Sequence, residues 1–205
     1  MKKYNIILAD PPWTFETYSD KGKGRSPENH YDCMTLEDIS NLNVSEIADE
    51  DCILFLWVTF PMLRKIFDSR LIEKWGFEYK TCAFNWFKKN KIKDSFFWGT
   101  GYYSRANTEL CLLATKGKPK RVSRGVHQVV SETDDLDFEW LDTEQLVTRV
   151  EEHSKKPNIV RDKIILLCGD LPRIELFARQ KVEGWDAWGL EVENDIEIKI
   201  RESSI

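Results

Sequence analysis

Tyr4-Asn5-Ile6-Ile7-Leu8-Ala9-Asp10-Pro11-Pro12-Trp13 is the stretch that decides the fold. Its apolar residues follow one another without alternation, the pattern of a strand buried on both faces. Asp10 and the two prolines then end the strand. The same stretch lacks the apolar length and small-residue cleavage site of a signal peptide, so it belongs to the folded body. Residues 52–59, 79–87, 109–115 and 174–178 read as further strands, most of them apolar throughout. Between them, residues 36–47 carry helical spacing behind Thr35 as N-cap. Residues 61–75 do so after Thr59 and before Gly76, and residues 158–168 begin just after Pro157. Strands alternating with helices predict an α/β sandwich with a largely parallel sheet and helices on both faces. Ligands of such sheets bind at the carboxyl ends of strands, where Asp10 sits.

At 205 residues and 41% hydrophobic content, one soluble domain accounts for the whole chain. No apolar run approaches the roughly 20 residues of a membrane span. The five cysteines (Cys33, Cys52, Cys82, Cys111 and Cys168) are scattered and form no CxxC pair, and the three histidines lack metal-ligand spacing. A reduced, cytoplasmic compartment and a metal-free protein are expected. The formal net charge of −5 argues against a nucleic-acid partner only until its distribution is considered. Basic residues cluster at 21–25, at Lys88-Lys89-Asn90-Lys91-Ile92-Lys93 and from Lys116 to Arg124, whereas acidic ones gather between Glu132 and Glu144. A net-acidic protein can still present such basic clusters to phosphates. Residues 14–29 read as a loop following the first strand. The acidic stretch reads either as a short helix packed on the body or as an insertion contacting a partner.

Asp10-Pro11-Pro12-Trp13 carries the chemistry. An exocyclic base amine is a poor nucleophile because its lone pair is delocalised into the ring. Accepting both of its hydrogens encourages the nitrogen to pyramidalise and aim that pair at an electrophilic methyl. Asp10 offers a carboxylate acceptor and Pro11 a backbone carbonyl, while the prolines fix φ and hold both acceptors in place. Trp13 offers a flat face to a base turned out of its stack. Methyl transfer from a sulfonium requires no metal. Taken alone, the tetrapeptide also reads as a strand end followed by a proline turn.

The sequence resembles the MT-A70 family of adenine-N6 methyltransferases, including compact bacterial and phage members. Ala9-Asp10-Pro11-Pro12-Trp13 matches the family's catalytic motif, and His30-Tyr31-Asp32-Cys33-Met34 resembles the segment closing its first active-site loop. Leu54-Phe55-Leu56-Trp57-Val58-Thr59 matches the next core strand. Asn107-Thr108-Glu109-Leu110-Cys111-Leu112 and Thr115-Lys116-Gly117 resemble the strand and turn that follow. Glu152-His153-Ser154-Lys155-Lys156-Pro157, Glu175-Leu176-Phe177-Ala178-Arg179 and Gly184-Trp185-Asp186-Ala187-Trp188-Gly189 complete the order.

The resemblance implies a Rossmann-like methyltransferase using S-adenosylmethionine. It implies that Asp10 serves both the target amine and the methionine end of the cofactor, whose carboxylate Lys156 holds. Arg179 and Lys181 would contact the ribose and Glu191 the ribose or adenine edge. Tyr31 and the loop at 14–29 would close over the substrate, Glu109 would shape the base pocket, and Lys88 and Lys89 belong to the phosphate-facing cluster. Leu190 stands where the family has asparagine, Lys181 and Val182 replace more specialised polar residues, and a segment upstream of the motif in larger relatives is missing. These departures imply an altered cofactor grip. DNA is the expected substrate because no RNA-binding module is appended, and a bacterial or phage-infected cytoplasm is the expected setting. RNA adenine, the cytosine amine and an inactive scaffold role are the rivals, and homo- and hetero-oligomers are both compatible with the sequence.

Overall fold

The computed structural model describes residues 2–14, 34–89, 95–96, 98–99, 101, 103–130, 148–149 and 156–201. Its strands are β1 (Tyr4–Ala9), β2 (Ala48–Val58), β3 (Glu78–Lys89), β4 (Thr108–Lys116), β5 (Val129–Val130), β6 (Thr148–Arg149), β7 (Arg173–Leu176) and β8 (Asp186–Trp188). They lie in the order β5-β3-β4-β2-β1-β7-β8, with β6 also pairing with β3. β1 is parallel to β2 and β7, and β7 to β8. β4 runs antiparallel to both β2 and β3. The sheet is therefore mixed, mostly parallel by pairing, and Rossmann-like in its covering by helices on both faces.

Continuous apolar runs are what such a sheet requires. Along β2, Cys52, Leu54, Leu56 and Val58 enter one core while Ile53, Phe55 and Trp57 enter the other. β1 divides likewise: Tyr4, Ile7 and Ala9 on the first face, Ile6 and Leu8 on the second. Helices α1 (Leu36–Asn41), α2 (Phe60–Asp68) and α3 (Leu71–Lys74) supply Ile39, Ile66 and Leu71 to the first core. Helix α4 (Ile159–Cys168) supplies Val160, Ile164 and Cys168 to the second.

Two helices expected to be continuous are broken. The Thr35 cap is present, its hydroxyl accepting from Asp38 N at 3.1 Å. The helix nevertheless stops at Asn41, because Leu42 is extended (φ −62°, ψ 131°) and forms a bridge with Ile200; a 3-10 turn, Val44–Glu46, follows. Pairing with a segment distant in sequence overrides local propensity there. The second break falls at Arg70, which takes the left-handed conformation (φ 55°) between α2 and α3. No glycine marks that turn.

Cys52, Cys111 and Cys168 are buried and Cys82 is partly so, all as free thiols. Burial pushes the Cys52 and Cys168 thiols up to about 12, which keeps them protonated and unreactive at neutral pH. Among the described residues no helix is long and apolar enough to cross a membrane, and no group of three His, Cys, Asp or Glu comes together to hold a metal.

Candidate active site

Topology brings the chemistry to one edge. The carboxyl ends of the parallel strands β1, β2, β7 and β8 are followed by Asp10, Thr59, Phe177 and Gly189 respectively. Antiparallel β4 starts at that same edge, since Val58 pairs with Leu110, and so delivers Glu109 beside them. Asp10 through Trp13, Thr59, Glu109, Lys156, Arg179 and Glu191 all line one cleft of about 690 Å³. That size suits a small-molecule ligand.

A chain of four alternating charges runs from the cleft floor to Lys88 on β3. Lys156 Nζ donates to both Asp10 carboxylate oxygens at 2.8 Å and lies 3.2 Å from Glu109 Oε2. Glu109 Oε1 in turn accepts from Lys88 Nζ. Each cation also lies over an indole: Lys156 over Trp57 at 5.6 Å and Lys88 over Trp86 at 4.9 Å from the centroid. Burial raises the Asp10 carboxyl above its ordinary value; Lys156 opposes that rise, and the Glu109 and Glu175 charges add to it. Burial also works to raise Glu109, but Lys156 and Lys88 together outweigh it and hold that carboxyl low. Lys156 is held well above its ordinary value because the two carboxylates more than offset its own burial. Glu175 is neutralised by Arg161, which donates Nε–H at 2.8 Å and Nη2–H at 3.0 Å to its two oxygens.

Lys88 therefore differs from its expected role. Its side chain turns inward to Glu109 and is 19% exposed, because a buried carboxylate flanked by Asp10 needs a second cation. Lys89 belongs to β3 by its backbone and pairs with Arg149. Tyr31, most of the loop at 14–29, and the stretch from Glu132 to Glu144 fall outside the described residues.

Trp13 is also more enclosed than an open stacking face. It is 4% exposed, sits in the first core and donates its indole N–H to Trp57 O at 3.2 Å. An isolated bridge joins the residue to Met34, and Trp13 is also among the residues that line the cleft. The Pro11 carbonyl accepts the Trp13 backbone N–H at 2.9 Å, which leaves its second lone pair for a ligand. Trp13→Ala is accordingly expected to cost about 3–5 kcal/mol of stability, as truncation of a core tryptophan does. A denaturant midpoint equal to that of the unaltered protein would return Trp13 to a purely stacking role.

On the other side of the cleft, Arg179 Nε donates to Glu191 Oε1 at 3.0 Å, and both side chains line it. Lys181 is absent from the lining, because its Nζ is drawn outward to Asp195 Oδ1 at 2.6 Å. Phe177, in the left-handed region (φ 62°), turns its ring edge-on to Trp188 at 5.5 Å, and both border the cleft. A bulky residue at positive φ is strained, and such strain gathers at ligand sites. Gly189 permits the close approach of the two segments, since a Cβ there would meet Ala178 O at 2.3 Å.

Sequence reasoning passed over Trp57, Phe177, Trp188 and a C-terminal group comprising Asn194, Ile198 and Ile200, all of which line the cleft. A signal for the last group was present. Ile196-Glu197-Ile198-Lys199-Ile200 alternates apolar and charged residues, the mark of a half-buried extended segment.

Comparison with known proteins identifies the family. The MT-A70 family model matches residues 4–191. The chain is 35% identical to the Type II methyltransferase M.MunI of Mycoplasma sp, across 96% of this chain and 82% of that protein. It is 28% identical to the human N(6)-adenosine-methyltransferase catalytic subunit METTL3, across 86% of this chain but only 26% of that protein. An Arabidopsis thaliana N(6)-adenosine-methyltransferase MT-A70-like protein is 27% identical, with 22% of its length covered. With the family model matched over residues 4–191, well over half of its length, the chain belongs to the MT-A70 family of methyltransferases.

Proposed function

We propose that this chain transfers a methyl group from S-adenosylmethionine to the N6 amine of adenine in DNA, in a bacterial or phage-infected cytoplasm. The observation that carries the reading is the Asp10 carboxylate, held at the cleft by Lys156 beside the second lone pair of the Pro11 carbonyl. The residues of the cleft fit the cofactor. Asp10 and Lys156 match the ammonium and carboxylate of its amino-acid end, Glu191 and Arg179 suit a ribose diol, and Phe177 and Trp188 provide aromatic walls. When bound, the cofactor supplies an electrophilic methyl on a sulfonium.

The chain's own groups do the rest. Asp10 and Pro11 accept the two amine hydrogens and hold the nitrogen lone pair toward the cleft. Pro11 and Pro12 keep those acceptors from relaxing, so little reorganisation accompanies reaction. Trp13 closes the cleft beside these acceptors. The proton shed by the methylated amine passes to an Asp10 oxygen, which burial has made a better base than an exposed carboxylate. Lys156 stays cationic throughout and keeps Asp10 ionised between turnovers.

DNA is favoured because the likeness to the type II methyltransferase is the stronger one and spans most of that protein. The adenosine methyltransferases among the relatives support RNA as the second reading. Incubation with tritiated S-adenosylmethionine and matched DNA and RNA strands separates them. Label is expected in DNA at least about tenfold faster, the ratio given by a 1.4 kcal/mol preference. Faster labelling of RNA overturns the DNA assignment. A folded protein that binds no cofactor in calorimetry favours a scaffold.

A further inference from the structure

The segment that follows β8 crosses back over the first face of the sheet to reach α1. It is fastened at both ends. Near β8, Asp195 N donates to Ala187 O at 2.9 Å and Asp195 Oδ2 accepts from Ala187 N at 2.8 Å. Lys181 holds the other Asp195 oxygen, and Asn194 Oδ1 accepts from Gly189 N at 2.7 Å. At the far end, Asn43 N donates to Lys199 O at 2.9 Å, Leu42 bridges to Ile200, and Arg201 N donates to Asn41 O at 2.8 Å. The Arg201 guanidinium adds bonds to Asn43 Oδ1 at 3.2 Å and Ser45 Oγ at 2.9 Å. Ile196 and Ile198 pack onto the first core between these anchors.

These fastenings hold three side chains of the segment at the cleft. Asn194, Ile198 and Ile200 line it together with Leu42, Phe177 and Trp188. Ile200 is 64% exposed, so this wall keeps apolar surface that a ligand would cover. Asn194 commits its Oδ1 to the backbone, which leaves its Nδ2 hydrogens as donors at the rim. These six side chains are uncharged, and Arg179 and Glu191 are the charged residues that share the lining with them away from the Asp10–Lys156 floor. Apolar surface with a single amide suits a flat, uncharged heterocycle bearing polar edge atoms. The family model ends at residue 191, before the segment begins.

We propose that residues 194–201 form a strap whose Asn194, Ile198 and Ile200 side chains bind the nucleoside end of S-adenosylmethionine. The proposal rests on the cofactor reading above. Asn194→Asp keeps the oxygen that accepts from Gly189 N while removing the amide donors, and Ile200 is exposed, so N194D/I200S keeps the fold; its melting midpoint without ligand is expected within about 2 °C of the unaltered chain. Calorimetric titration with S-adenosylmethionine is expected to show affinity about tenfold weaker, the combined loss of one hydrogen bond and one apolar contact. 5′-Methylthioadenosine, which has the nucleoside but not the amino-acid end, is expected to lose affinity by the same factor. Unchanged affinity for S-adenosylmethionine overturns the strap, and a loss confined to S-adenosylmethionine overturns its assignment to the nucleoside end. Absence of binding by the unaltered chain overturns the cofactor reading as well, and only that result reaches it.

Discussion

Asp10→Ala is expected to lower methyl transfer by about 10³-fold or more while the protein stays folded. The rate falls because the variant removes the charged acceptor that draws one amine hydrogen and aims the nitrogen lone pair. Truncation of a single preorganised hydrogen-bonding group at a reacting centre typically costs 10²–10³-fold. Asp10 here also receives the departing proton, which enlarges the loss. The fold survives because Lys156 keeps Glu109 as a partner at 3.2 Å, so no buried cation is orphaned. Single-turnover rates at saturating cofactor, together with a melting curve, separate the two effects. Activity within tenfold of the unaltered enzyme contradicts the acceptor role.

Lys156→Met is expected to act on rate, pH profile and stability together. It leaves Asp10 and Glu109 as neighbouring buried carboxylates with, among the described residues, Lys88 on the Glu109 side to compensate. Breaking a buried pair by removing one partner costs about 3–5 kcal/mol. Lys156 has a raised folded pKa, so its stabilisation is complete below its ordinary value of 10.5 and is lost only as pH climbs through a still higher one. Glu109 is lowered, so its contribution is present above 4.5 and disappears on acidification below that value. Asp10 is raised and behaves oppositely, opposing folding while ionised and ceasing to do so as acid protonates it. Activity needs the ionised form, so the unaltered enzyme should lose activity on an acid limb lying above the ordinary aspartate value of 3.8. Removing the nearby ammonium raises that carboxyl further, and the acid limb of kcat in Lys156→Met moves toward neutral pH. An acid limb at the same pH in both proteins would show that Lys156 does not govern Asp10.

The parts of this molecule that were legible in sequence are those whose burial is local. β1 could be read to the residue because its apolar run needs both faces covered, and Pro157 and Gly76 mark helix boundaries as their backbones require. The misread positions depend on partners remote in sequence. Leu42 is extended because it meets Ile200, and Arg70 is left-handed without any local residue to announce it. Lys88 looks like one more cation in a basic cluster until β4 sets Glu109 beside it. Trp13 reads as an exposed platform next to a polar loop, yet its indole N–H finds a carbonyl on β2 and the ring follows it into the core. Asp10 and Lys156 are separated by 146 residues, and only the resemblance linked them before the geometry did.

The central claim is that an ionised, lysine-held carboxylate beside a proline-fixed carbonyl selects the amine of adenine for methylation. Nucleoside mass spectrometry of DNA from cells expressing the chain tests it most directly, with the Asp10→Ala variant in parallel. N6-methyldeoxyadenosine is expected with the unaltered chain and none with the variant. Methyl found on the cytosine amine, or N6-methyldeoxyadenosine persisting at full level with Asp10→Ala, contradicts it.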